Sequence, residues 1–459
     1  MYDRLVLAAV VLVGFVFPGE RTLADDWPQW LGPQRDGHWR ETGILTSFPD
    51  AGPSVLWRQD IGGGYAGPAV AEGRVFVLDR QRGGDDSATV ARLTRDYGKV
   101  PNQHYERGVT LGNERILCLS ATTGKVLWKR EYDCPYTIAT EYATGPRATP
   151  TVDGGKVYAL GAEGNLRCFD AATGDVHWQR DWKKDYGLEV PTWGTSSPPL
   201  VDGKKLLCVV GGDGTTAVAF DKDTGAELWR ALSSEAPGYA APVIYRVGGR
   251  RQLVIWHGEA VNGLDPETGK VYWSVPVETW AGMAIATPRL AGDFLFVTGF
   301  PQQSTLLRLE SEPPTATVAW RGGAKIGVSS TLTTPWLEDE HIYAGGRDGR
   351  YTCARLADGT RLWTSYAPST GDRRASWASV FTIKHEDKFF LVNDSGDLIV
   401  ARLSPQGYQE VSRARILEAT TQLGRRTVVW SHPAFAQRCV FARNDREIVC
   451  VSLAETKNP

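Results

Sequence analysis

A short phrase recurs along the chain and ends each time in tryptophan: "SATTGKVLW" (120–128), "DAATGDVHW" (170–178), "DKDTGAELW" (221–229) and "DPETGKVYW" (265–273). Two eroded copies, "PTATVAW" and "LADGTRLW", end at Trp320 and Trp363. The intervals between Trp128, Trp178, Trp229, Trp273, Trp320 and Trp363 are 50, 51, 44, 47 and 43 residues. A period of about 40–50 residues predicts stacked repeats, because one such unit cannot bury its apolar face without a neighbour. The repeat therefore overrides the length prior, under which a chain of 459 residues would hold about three domains.

One unit, 149–180, reads "TPTVDGGKVYALGAEGNLRCFDAATGDVHWQR". Four short runs of β-formers alternate with glycine-containing turns, which predicts a β-meander. Four strands per repeat is a propeller blade. Thr-Gly makes the turn before the last strand, its glycine taking positive φ without steric cost. The tryptophan on that strand is predicted to wedge against the next blade, its indole N–H donating to a neighbouring backbone carbonyl.

The count gives eight blades, or six or seven if a degenerate unit is miscounted: six end at the tryptophans named above, and a seventh keeps its strands (378–414) without one. The eighth has three strands near the C-terminus (432–452), and "SVLWRQ" (54–59), with its orphan Trp57, is predicted to supply the fourth. The fold class is thus all-β, an eight-bladed propeller over 54–453 closed by the N-terminal strand, which leaves no open sheet edge. An extension (25–53), a polar insertion in the first blade (81–114) read as a flexible flap, and a tail (454–459) complete the expected organisation.

Arg4, the apolar run 5–17, and Thr22 and Ala24 at small-residue positions read as a signal peptide over 1–24 cut after Ala24. A periplasmic or secreted protein is expected, without stable membrane insertion, since no later apolar run reaches spanning length. Lys and Arg number 51 against 53 Asp and Glu, a balance that argues against a nucleic-acid partner. A monomer is expected. The cysteines read as buried small hydrophobes, with one open question. A two-residue turn at Asn444-Asp445 would set Cys439 opposite Cys450, where a disulfide can form in an exported protein.

Within a blade the first–second and third–fourth turns are short and share one end of the ring. The second–third loops and the blade-to-blade connectors share the other end, and they are long and rich in aromatic residues, glycine and proline. That face is the expected binding surface, for an envelope protein or a small ligand. Candidate ligand-binding residues there are Arg147, a forked donor for an anion, the stacking platforms Trp193, Trp280 and Trp377, and the loop pair His257 and Glu259. No H-x-x-H, C-x-x-C, G-x-S-x-G or P-loop pattern occurs, so no catalytic or metal-binding residue is assigned.

The "A-x-D-x-x-T-G-x-x-x-W" theme resembles the pyrroloquinoline-quinone (PQQ) repeat of quinoprotein dehydrogenases. It is also similar to the propeller subunit of the outer-membrane β-barrel assembly machinery and to secreted PQQ-like propellers of planctomycete-type bacteria, whose start "WPQWLGPQRDG" (27–37) resembles. The resemblance covers nearly all of 54–453. It implies two different activities. The dehydrogenases hold PQQ and Ca²⁺ at the ring axis, with acidic metal ligands, an Asp base, a Trp floor and often a disulfide between adjacent cysteines; this chain has no adjacent cysteines. The assembly subunit is a non-catalytic scaffold anchored through an N-terminal cysteine, which is absent here. A non-catalytic binding or scaffold protein is the leading expectation. An alcohol or sugar dehydrogenase using PQQ and Ca²⁺ is the alternative, followed by a hydrolase or lyase on the same ring.

Overall fold

The computed structural model describes residues 25–84, 86–97, 106–301, 303–323 and 325–455. The expected leader, 1–24, lies outside the described residues. Among the described residues the chain forms eight four-stranded antiparallel sheets and one two-stranded hairpin. In the second blade the chain runs outward through Thr151–Asp153, Lys156–Leu160, Asn165–Asp170 and Val176–Asp181. Strand composition follows position. The second blade's inner strands bury nearly every residue, whereas "VHWQRD" on its rim buries only Trp178. A strand covered on both faces reads as a continuous apolar run, and a rim strand does not.

The eighth sheet is made of Ala434–Ala436, Cys439–Arg443 and Glu447–Ser452, with Val55–Asp60 as its outer strand. Trp57 pairs with Cys450 and Asp60 with Glu447. The two ends of the chain therefore share one sheet and close the ring, as the sequence predicts.

Five rim tryptophans lock blade to blade by one device. The indole N–H donates to a carbonyl in the next blade's third–fourth turn: Trp57 to Ala121 (2.8 Å), Trp128 to Ala171 (3.0 Å), Trp178 to Lys222 (3.0 Å), Trp320 to Leu356 (2.8 Å) and Trp363 to Ser404 (2.7 Å). The turn glycine has a second role beyond its positive φ. A Cβ on Gly124, Gly174 or Gly225 would fall 2.6–2.7 Å from the ring of Trp57, Trp128 or Trp178, so the indole lies flat on bare backbone.

Two tryptophans depart from the expected carbonyl bond. Trp229 sits over Gly269, but its N–H has no partner among the described residues. Trp273 faces a blade whose turn is Ser311–Pro314, with no Thr-Gly. Its ring packs on Gly263 of its own sheet instead. Its N–H donates to Gln252 Oε1 (2.7 Å), and Gln252 Nε2 donates on to Glu310 O in the next blade (3.1 Å). Gln252 thus relays the link that a glycine turn would have received directly.

Three further readings are corrected. The insertion is narrower than 81–114, because Gln81 and Arg82 pair with Asn113 and Gly112 inside the first blade. A helix, Ser87–Tyr97, follows in that segment. The last hairpin is not a two-residue turn: Arg443 pairs with Ile448, and Cys439 faces Ser452. Asn444 Oδ1 holds the wider turn by accepting from the N–H groups of Arg446 and Glu447, both at 2.8 Å. Cys439 and Cys450 are diagonal neighbours as free thiols.

The N-terminal extension crosses the bore of the ring. Trp27 and Val70 exchange backbone hydrogen bonds, Val152 N donates to Pro28 O, and Lys384 N donates to Gly37 O. Arg35 is buried and donates to Pro199 O (3.0 Å). Arg289 in turn donates to Asp36 O (2.8 Å), and Trp39 packs on Phe390 and Phe435. This segment touches the innermost strands or the residues just before them in blades one, two, three, five, seven and eight.

Candidate ligand pocket at the ring axis

On the connector side of that N-terminal segment lies a cavity of about 200 Å³. A cavity of roughly 150 Å³ is enough to hold benzene. Each blade contributes the residue just ahead of its innermost strand: Tyr65, Arg147, Ser196, Tyr239, Ile285, Leu332, Trp377 and Trp430. Seven of them stand four positions before that strand begins, and Trp377 stands three before Val380. Eightfold repetition of one register position brings these residues together at the axis. The N-terminal segment adds Trp30, whose N–H donates to Thr287 Oγ1 (2.9 Å) and whose ring lies 4.6 Å from His432.

The lining is aromatic with a single permanent charge. Trp430 stacks with Tyr142 (6.3 Å, 25°) and packs at a tilt on Tyr65 (6.1 Å). Trp193 meets Tyr239 edge-on at 5.9 Å. The Arg147 guanidinium lies over the Tyr65 ring at 4.5 Å. It is held there by donating to the backbone carbonyls of Trp193 and Tyr142. Two carbonyls and a π-face orient this cation without neutralising it, and no Asp or Glu lines the cavity. Burial raises the phenols of Tyr65 and Tyr239, although Arg147 pulls both the other way. Both are neutral donors at physiological pH. Burial drives the His432 imidazole down to about 4. Its Nδ1 lies 2.6 Å from Pro433 O, so it carries the proton there and Nε2 is an acceptor.

Of the residues singled out in the sequence, Arg147, Trp193 and Trp377 meet in this cavity. Trp280 stands outside the lining. It packs edge-on against Phe300 (5.4 Å), which in turn packs on Trp377 (5.4 Å). His257 and Glu259 also lie outside it, paired through Nδ1 and Oε2 at 2.6 Å. Glu259 Oε1 accepts from Ala236 N (3.1 Å), which makes the pair a loop brace. Tyr65, Tyr142, Tyr239, Phe381, Trp430, His432 and Trp30 were missed. Sequence reading left six of the eight axial residues unassigned, and the periodic position ahead of each "P-x-[VIL]" strand start was the signal for five of them, Tyr65, Ser196, Tyr239, Ile285 and Leu332, with Trp430 ahead of the variant "PAF". Trp30 carries no such signal, because it reaches the axis from outside the repeat.

A PQQ–Ca²⁺ pair does not fit this donor set. Ca²⁺ takes six to eight oxygens, with carboxylates prominent, and the cavity offers none. Nor is there any group of three His, Cys, Asp or Glu side chains able to hold a metal among the described residues.

A family model described as outer membrane protein assembly factor BamB matches residues 112–365 and 258–459, more than half of the chain. The chain belongs to this family. Family members of that name from Shewanella oneidensis and Burkholderia pseudomallei are 19% and 24% identical over 265 and 274 residues. The matches cover 54% and 56% of this chain, and 64% and 66% of those relatives, just under two-thirds. Among solved structures, BamB from Moraxella catarrhalis superposes with a TM-score of 0.52 at 15% identity, covering 88% of this chain and 100% of that one. A computationally designed protein, Ika8, gives the same TM-score, 0.52, at 12% identity. At these identities the family's structures speak for the propeller fold alone.

Proposed function

We propose that this chain is a non-catalytic binding protein of the cell envelope that engages its partner through the connector face, with the axial cavity as the anchoring pocket. Family membership supports the scaffold class, and the relatives named as assembly factors support a protein partner in the envelope. One observation carries the pocket assignment. All eight blades converge on a cavity lined by tryptophan and tyrosine with one oriented cation and no carboxylate. Rigid aromatic walls give large apolar contact at little entropic cost, and an arginine stacked on tyrosine adds a directional donor. The occupant that matches is an aromatic or aliphatic side chain carried next to an acceptor such as a backbone carbonyl or a carboxylate.

Photo-crosslinking distinguishes the faces. A benzophenone amino acid in place of Trp193 is expected to capture an envelope protein from membrane extracts, and Tyr65→Ala with Trp430→Ala is expected to abolish that capture. The same probe at Thr173, on the short-turn end, is expected to capture nothing. Equal capture from both ends, or none from position 193, overturns the assignment.

A further inference from the structure

A second cavity, of about 70 Å³, lies on the connector side of the sixth blade, walled by Val328, Ser329, Gly346, Arg347, Asp348, Arg350, Thr352, Arg361, Thr364 and Arg374. The lining sets four arginines against one carboxylate. That carboxylate is already taken: Arg350 donates to Asp348 through both Nε and Nη2. Burial pushes Asp348 up, but the bonds from Arg350 outweigh it and hold the carboxyl below its ordinary range. Three further guanidinium groups border the same small space, and the Asp348 charge also acts on Arg374 and Arg361.

Each of these three is placed by a different element. Arg347 stacks on Phe300 (4.7 Å) and Trp377 (5.4 Å). Arg361, on the rim strand, donates to Gly327 O (2.7 Å) and to Gly323 O (3.3 Å), and its guanidinium is depressed by burial and then by the like charge of Arg350. Arg374 comes from the "TGDRRASWA" connector (370–378), is exposed, and its charge helps to lower the Asp348 carboxyl. Holding like charges together costs free energy unless an anion compensates them.

We infer that this cleft is an oxyanion site for a phosphate group, recognised by Arg347 and Arg374, with Arg361 adding positive charge from the wall. Guanidinium forks match tetrahedral phosphate oxygens and bind them by charge-assisted hydrogen bonds. The size selects as well. A water needs about 10–15 Å³ by the same measure, so the cleft takes one tetrahedral anion with a few waters, and any larger moiety stays outside. The phosphate can be free or the headgroup of a phospholipid. Trp377 forms a wall of the axial cavity and carries Arg347 on its ring, so the two sites share that side chain. The assignment stands independently of what fills the axis.

The test titrates the intact chain with inorganic phosphate in low-salt buffer, read by calorimetry and by tryptophan emission. Parallel arms use chloride at equal ionic strength and phosphatidylcholine vesicles with and without phosphatidylglycerol. Saturable phosphate binding is expected, weakened about tenfold or more in R374Q and in R347Q and unchanged in K125Q, with an emission change from Trp377. Vesicle binding that requires phosphatidylglycerol and is lost in R374Q identifies the lipid as the source, and phosphate titration without it identifies the free anion. R374Q alters an exposed side chain, so folding is preserved. Phosphate and phosphatidylglycerol that bind no better than chloride and pure phosphatidylcholine, or binding unchanged in both variants, overturns the inference.

Discussion

At the scale of single residues, His432 shows how the axial pocket ties ligand chemistry to stability. Its imidazole is enclosed by Trp30, Phe381 and the ring wall, and burial lowers it to about 4. In the unfolded chain it titrates near 6.5. Between these values the unfolded state binds a proton that the folded state refuses. The contribution is therefore intact above about pH 6.5 and is lost as pH falls toward 4, with a full effect of roughly 3 kcal/mol. Denaturant unfolding of wild type and His432→Gln across pH 4–7 is expected to show the steeper acid loss in wild type. Parallel curves would contradict it. Arg147 was legible in the sequence as a lone arginine ahead of a strand. Its stacking on Tyr65 was not, because those two residues stand in different repeats.

At the scale of the element, the typical blade is a meander whose local grammar is explicit in sequence: apolar inner strands, a Thr-Gly turn, and a rim strand with one docking tryptophan, with the turn lost in the fifth blade and the tryptophan in the seventh. Docking energetics belong to this scale. Trp128→Ala is expected to cost about 3–5 kcal/mol in urea unfolding, from lost burial and the cavity it leaves. Gln252→Ala is expected to cost about 1–3 kcal/mol, because it leaves the Trp273 N–H and the Glu310 carbonyl unpaired at once. Losses below 0.5 kcal/mol for both variants would show that the blades are not keyed through these bonds. The Gln252 relay was invisible in the repeat pattern. It compensates for a glycine missing from the following blade, and only adjacency in space connects the two. The loop brace of His257 and Glu259 was read as a site for the same reason. Its position on a second–third loop was right, but that loop lies off the axis.

At the scale of the whole molecule, closure is the controlling feature. Val55–Asp60 completes the sheet that ends at Glu447–Ser452. A chain shortened to begin at Ile61 loses both that strand and the segment crossing the bore, leaving Glu447–Ser452 as an unpaired edge. Light scattering is expected to report a mass several times that of the intact chain, with a lowered Tm. A shortened chain of unchanged Tm and mass would mean that closure contributes little.

The sequence by itself determined the repeat, the number of blades, the sharing of one sheet by both chain ends, and the identity of the docking tryptophans. All of these are written in short-range periodicity, and periodicity survives in one dimension. Only the tertiary structure decided which residues face one another across the axis, that Trp30 reaches the pocket from outside the repeat, and that four arginines of the sixth blade and its connectors share one cleft. Those groupings come from curvature. Residues about 45 positions apart come together only because eight sheets, each turned by a fixed angle from the last, bring the ring back onto itself.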